Sequence, residues 1–192
     1  PIFGEMGMYS GVQETDWSWA PLFADYNNDG WQDLLITNGF PKDVTDRDFG
    51  DFRVTASRLV TKQQLIAAIP EIKIPNFIYK NNGGMEFEDV TEAWGLNFGT
   101  YSNGAAYGDF DKDGDLDLVI NNINEDAILL ENHASLLQPN DHYLRIKLTG
   151  KDKNRGAFGA TVLLYAGGMI QQKSLLSGRG YLSQPEQVIH FG

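Results

Sequence analysis

Apolar residues along this chain come in short runs separated by Gly, Asn and Asp, the spacing of strands joined by tight turns. Leu34-Leu35-Ile36 and Leu118-Val119-Ile120 read as buried strands. Phe77-Ile78-Tyr79-Lys80 and Phe87-Glu88-Asp89-Val90 flank Asn81-Asn82-Gly83-Gly84, a hairpin turn of the kind that supplies positive φ. From Ile36 to Phe77 is 41 residues against eight from Ile120 to Ile128, so about 33 residues are inserted in the first unit. That insertion, about 40–75, reads as partly helical: Thr45 is placed to cap a helix running towards Arg58, and Thr61 another through Ile69, stopped by Pro70. After Pro139 the pattern changes. Leu144, Ile146 and Leu148 alternate with charges, and Thr161 to Tyr165, Ile170 to Leu176 and Val188 to Phe191 read as further strands of a second, small β domain.

The chain repeats itself. Residues 3–38 align without gaps on 87–122 at a constant offset of 84, with ten identities, seven of them between Asp25 and Asn38. The most faithful part is an acidic loop, Asp25-Tyr26-Asn27-Asn28-Asp29-Gly30-Trp31-Gln32-Asp33 in the first copy and Asp109-Phe110-Asp111-Lys112-Asp113-Gly114-Asp115-Leu116-Asp117 in the second. Side-chain oxygens stand at positions 1, 3, 5 and 9, alternate residues that a tightly curled loop aims at one centre, and Gly at position 6 permits the sharp bend. Position 7, Trp31 or Asp115, offers its backbone carbonyl. An EF-hand would place a bidentate Glu at position 12 between helices; here position 12 is Ile36 or Ile120 inside an apolar β run, so Asp33 and Asp117 must close the cage instead. The expected occupants are two structural Ca²⁺ ions. The second loop has carboxylates at all four side-chain positions, the first has Asn27 at position 3, and the second is expected to bind more tightly. The bland alternative is that Asx residues form turns by bonding their own backbone; two copies in register weigh against it.

Charge and composition narrow the partners. Twenty-six acidic residues against fifteen basic ones leave a net charge of −11, which repels nucleic-acid phosphates. No apolar run reaches the roughly 18–20 residues of a membrane span. The start, Pro1-Ile2-Phe3-Gly4, has neither an initiator Met nor a signal pattern, so a longer parent chain is expected. Cysteine is absent, which removes disulfides and thiolate metal sites and leaves oxygen-ligated metal as the available staple.

At these residues the sequence resembles the FG-GAP or VCBS repeats of integrin-α-like β-propellers over about 1–135, through the two acidic loops, Asn82-Gly83 and Phe87-Glu88-Asp89-Val90-Thr91. The C-terminal stretch resembles the ASPIC/UnbV domain of the cartilage acidic protein family, through Asn154-Arg155-Gly156, Gly159-Ala160, Gly178-Arg179-Gly180-Tyr181-Leu182-Ser183-Gln184 and His190-Phe191-Gly192. The resemblance implies an all-β fold: partial β-propeller blades in 1–138, with the insertion, followed by a small antiparallel β domain in 139–192. It also implies a secreted, surface or periplasmic protein with structural calcium and no assigned activity. The chain holds one blade, most of a second and the last strand of a preceding one, so it cannot close a ring alone; the remaining blades of a longer chain are expected partners.

Sequence signals for catalysis are weak. His133, His142 and His190 are scattered, and neither HExxH nor GxSxG occurs. The leading expectation is a non-catalytic adhesion or recognition module for a protein or glycan, the alternative part of a propeller enzyme acting on polysaccharide. Trp17, Trp19 and Phe23, at period 2, are expected to pack between neighbouring blades. Trp31 stands where the second repeat has Asp115, so packing does not obviously require it, and it is the candidate ligand platform. The insertion is the other place to graft binding.

Overall fold

The computed structural model describes residues 2–43, 45–56 and 59–192. The first unit opens with one helical turn, α1 (Gly7–Ser10), then β1 (Ser18–Ala24) and β2 (Asp33–Asn38). The insertion carries α2 (Arg47–Ala56) and α3 (Lys62–Ala67) and ends at β3 (Ile74–Pro75). The chain continues through β4 (Phe77–Asn81), β5 (Phe87–Asp89), β6 (Gly99–Thr100), β7 (Ser102–Gly108), β8 (Asp117–Asn122), β9 (Ile128–Leu130) and α4 (Ala134–Leu137). The C-terminal part holds β10 (Leu144–Ile146), β11 (Thr161–Ala166), β12 (Met169–Ser174) and β13 (Ile189–Phe191). The fold is mostly β, with all strand pairs antiparallel: a four-stranded sheet, β1-β2-β4-β5, a three-stranded sheet, β7-β8-β9, and two-stranded ribbons β3-β6, β10-β13 and β11-β12.

The repeat is reproduced in register. Ser18 pairs with Asn38 and Pro21 with Ile36, as Ser102 pairs with Asn122 and Ala105 with Ile120, and both ladders are irregular at the same place. β2 is buried at every position, as the centre of a sheet covered on both faces should be. Ala20, Leu22 and Ala24 of β1 are buried; Leu22 and Ala24, with Leu35 and Ile78, meet Ala105, Leu118 and Ile120 of the second sheet in one core. On the other face of the first sheet, Leu34, Ile36 and Tyr79 pack with Val12, Phe77 and Phe87. A third cluster, Leu175, Ile189 and Phe191 with Leu148, Phe158 and Val162, is the core of the C-terminal domain.

A buried polar seam also joins the sheets. Asn76 accepts from the Asn38 amide at 2.9 Å and donates to Ser102 Oγ at 3.0 Å, and Ser102 donates on to Asn122 at 2.8 Å. Thr37, Asn38 and Ser102 are fully enclosed there and Asn76 nearly so. The seam aligns one sheet on the next, with Asn38 Oδ1 buried there without a partner.

Three expectations are corrected. The expected last strand of a preceding blade, which the repeat would place at Phe3, does not form among the described residues: Phe3 is 91 % exposed, whereas its repeat partner Phe87 pairs with Asn81. The equivalence resumes at Gly11, which ends a helical turn at φ 74° as Gly95 ends its turn at 78°. Trp17, Trp19 and Phe23 do not lie between the two sheets. Leu22 and Ala24 take that face, in the core shared with Leu118 and Ile120. Trp17 instead stacks on Phe40 at 5.1 Å, and Trp19 meets Tyr181 of the C-terminal domain at 4.8 Å. In the insertion, Asp46 takes the capping role expected of Thr45: its carboxylate accepts the Phe49 amide at 2.5 Å, while Thr45 bonds Asp43. The expected run of that helix to Arg58 falls on residues outside those described. Thr61 caps α3 through a reciprocal bond with Gln64.

Candidate cation loops and the domain that covers them

Each acidic loop links the first two strands of its sheet, β1 to β2 and β7 to β8. The backbone bends identically in both: Asn28 and Gly30 have φ of 58° and 90°, Lys112 and Gly114 of 70° and 99°. Those left-handed positions explain the Gly shared at position 6. Position 12, Ile36 or Ile120, lies within β2 or β8, so the loops are strand–loop–strand units.

In the first loop, Asp25 accepts the amides of Asp29 (3.1 Å) and Gly30 (2.9 Å), and Asp33 those of Tyr26 (3.1 Å) and Asn81 (2.9 Å). Both carboxylates are fully buried. Burial lifts Asp25 to a pKa of about 6, against the pull of nearby Lys173, and lifts Asp33 to about 7. Asn27 donates to Asp29 at 2.8 Å, but its own Oδ1 is buried without a partner. Asp29 also accepts the Trp31 amide at 2.9 Å, with the Lys80 ammonium 3.9 Å away. Trp31 is half exposed, and its ring packs over the hairpin: a Cβ on Gly83 would stand 3.0–3.2 Å from indole atoms.

In the second loop, oxygens of Asp109, Asp111 and Asp117 lie within 4.8 Å of one another. Asp113 stands outside that group and accepts the Asp115 amide at 2.9 Å. Asp117, like Asp33, accepts two amides, from Phe110 (2.8 Å) and Asn132 (2.9 Å). Asp109 takes the Lys112 amide at 2.7 Å and the Arg145 guanidinium at 2.6 Å. A hard cation fits these donors. The second loop converges three carboxylates, and the first keeps two buried, destabilised carboxylates and an orphaned amide oxygen that an ion would satisfy.

Sequence reasoning missed what joins the loops. The Asp115 side chain, considered only for its carbonyl, is fully buried and accepts Asn28 Nδ2 at 2.8 Å and the Ser135 amide at 2.7 Å. Asn28 Oδ1 in turn meets His190 Nε2 at 2.8 Å. His190 is therefore no scattered histidine: it ties β13 to the first loop, and burial drives its pKa down to about 4. Its ring is neutral at pH 7, donates from Nε2, and stacks on Tyr143 at 6.0 Å. The only sequence signal was the repeat's own mismatch, Asn28 against Lys112 and Trp31 against Asp115. Between the first loop and the C-terminal domain lies a polar cavity of about 40 Å³, lined by Asp25, Lys173, Arg179, Glu186 and His190. A second, of about 400 Å³, opens between the sheets beside Trp94, Leu116, Leu130 and the unpartnered hydroxyl of Tyr26.

With this geometry in place, the comparisons are specific. Residues 73–120 match the FG-GAP-like repeat, and residues 150–192 match the ASPIC and UnbV domain. The chain contains an FG-GAP-like repeat followed by an ASPIC/UnbV domain. The repeat match spans β3 to β8 and includes the whole second acidic loop; the first loop lies outside it and is tied to the family by the offset of 84. No curated protein matches the chain. FG-GAP repeat domains are typically extracellular or surface modules of adhesion or recognition type. No helix among the described residues is long and apolar enough to cross a membrane.

Proposed function

We propose that this FG-GAP-like repeat protein is a calcium-stabilised, non-catalytic recognition module of the cell exterior or periplasm, binding a protein or glycan. The observation that carries the calcium reading is the convergence of Asp109, Asp111 and Asp117 in a loop whose backbone is repeated 84 residues earlier around the orphaned oxygen of Asn27. Asp25, Asn27, Asp29 and Asp33 would hold one ion and Asp109, Asp111, Asp113 and Asp117 the other, with the carbonyls of Trp31 and Asp115 completing each set. A loaded ion holds these carboxylates as ligands, which leaves them unavailable as an acid–base pair. An ion bound only to the folded chain stabilises it by about 2.7 kcal/mol at a hundredfold excess over its Kd.

A thermal melt after exhaustive chelation, repeated during calcium and magnesium titration, tests this. The expected result is a calcium-specific rise in Tm saturating at two ions per chain. No shift, with no calcium retained by elemental analysis, refutes it. For the ligand, the half-exposed Trp31 and the insertion, whose Phe52, Val54 and Ile66 are exposed, are the surfaces offered. A glycan array on which Trp31→Ala binds like the parent removes Trp31 as a platform. Turnover of a polysaccharide panel would instead favour the enzymatic alternative.

A further inference from the structure

Arg145 and His190 face each other across the β10–β13 ribbon as register partners. From there they enter different acidic loops. Arg145 reaches Asp109 of the second loop at 2.6 Å and Glu186 at 2.5 Å; His190 reaches Asn28 of the first at 2.8 Å. The circuit closes through the Asn28–Asp115 bond between the loops. The C-terminal domain is thus pinned to both loops by two adjacent residues of one small ribbon.

We propose that this ribbon senses ion occupancy: a divalent cation held by Asp109, Asp111 and Asp117 competes with the Arg145 guanidinium for Asp109, so that ion binding loosens the C-terminal domain and docking of that domain weakens ion binding. The inference rests on the calcium reading above. The Asp109 side chain is almost fully enclosed, so its charge has little water to share between two cations. An ion coordinated by that carboxylate would share it with the guanidinium bonded there at 2.6 Å, and a double and a single positive charge brought that close together repel enough to change affinity about tenfold even at water-like dielectric. Arg145 Nε is buried without a partner, so release to solvent returns a hydrogen bond that docking withholds. Coupling of this kind is reciprocal: the factor by which Arg145 weakens ion binding is the factor by which the ion weakens docking.

The test is calorimetric calcium titration of the whole chain and of Arg145→Met, which keeps an apolar stem without charge, with amide hydrogen exchange across β10 and β13 as the docking readout. The expected results are a roughly tenfold tighter site in Arg145→Met with the other site unchanged, and faster exchange in β10 of the parent as calcium is added. Arg145→Lys, which keeps the charge, should titrate like the parent. Two parent sites whose affinities are both unaltered in Arg145→Met overturn the competition, and so does parent exchange that is flat across the titration, a readout that holds if the variant fails to fold. A parent that binds no calcium removes the underlying cation reading instead.

Discussion

Raising the pH of the chelated protein from 4 to 7.5 should destabilise it, the reverse of ordinary acid denaturation. Asp25 and Asp33 are lifted by burial from 3.8 to about 6 and about 7. A carboxyl with a raised folded pKa contributes stability that is fully present below its unfolded pKa and is lost as pH rises through the folded value. At about 1.4 kcal/mol per pKa unit, ionising the two costs roughly 3 and 4 kcal/mol by pH 7.5. His190 acts in the opposite sense. Lowered from 6.5 to about 4, it contributes stability present above pH 6.5 and lost as pH falls through 4, a swing of about 3 kcal/mol. Two acids against one imidazole leave a net loss of about 4 kcal/mol between pH 4 and 7.5, with the stretch above pH 6.5 belonging to Asp33 alone. Urea denaturation in chelator at half-unit pH steps measures it. His190→Gln should steepen the fall below pH 6.5, and saturating calcium should abolish it, because the ion binds the ionised carboxylates. A chelated protein whose stability is flat or rises over that range would refute the assignment of burial as the dominant influence on these carboxyls.

Two further outcomes follow from individual side chains. Asp111 is exposed and accepts the Asp113 amide at 3.2 Å, so Asp111→Ala should lower calorimetric stoichiometry from two ions to one while moving the chelated protein's stability by less than about 0.5 kcal/mol. Asn76→Ala should cost about 2 kcal/mol in urea denaturation with or without calcium, because it strands the buried Asn38 amide, whereas Ser102 keeps its bonds to Asn122 and Thr100.

Much of the architecture was legible in the chain. The hairpin at Asn82-Gly83, strands β2, β4 and β8, the Thr61 cap and the two loops were all readable because each depends on residues within a few positions of one another. The offset of 84 carried further than any single motif: the Gly called for the bend at position 6 is left-handed in both copies, and the structure adds the shared ladder irregularity and the left-handed pair Asn28/Lys112. Where local signals misled, the cause was competition for a face. A period-2 aromatic stripe at Trp17, Trp19 and Phe23 promises burial, but Leu22 and Ala24 of the alternate positions take the place between the sheets. Phe3 repeats Phe87 in identity yet lacks a strand to pair with.

What the sequence by itself determined is local: turns that need positive φ, runs that alternate with the pleat, and acidic residues spaced so that a curled loop turns them towards one centre. Tertiary structure alone decided which of those groups share an environment. Asn28 and Asp115 are 87 residues apart and His190 lies 162 from Asn28, yet they form one buried chain, and Arg145 reaches Asp109 only because β10 is folded across the second loop. Desolvation follows from that placement rather than from residue type. Packing removes the water from Asp25, Asp33 and His190, and the carboxyls rise and the imidazole falls in pKa because their charged forms have lost it.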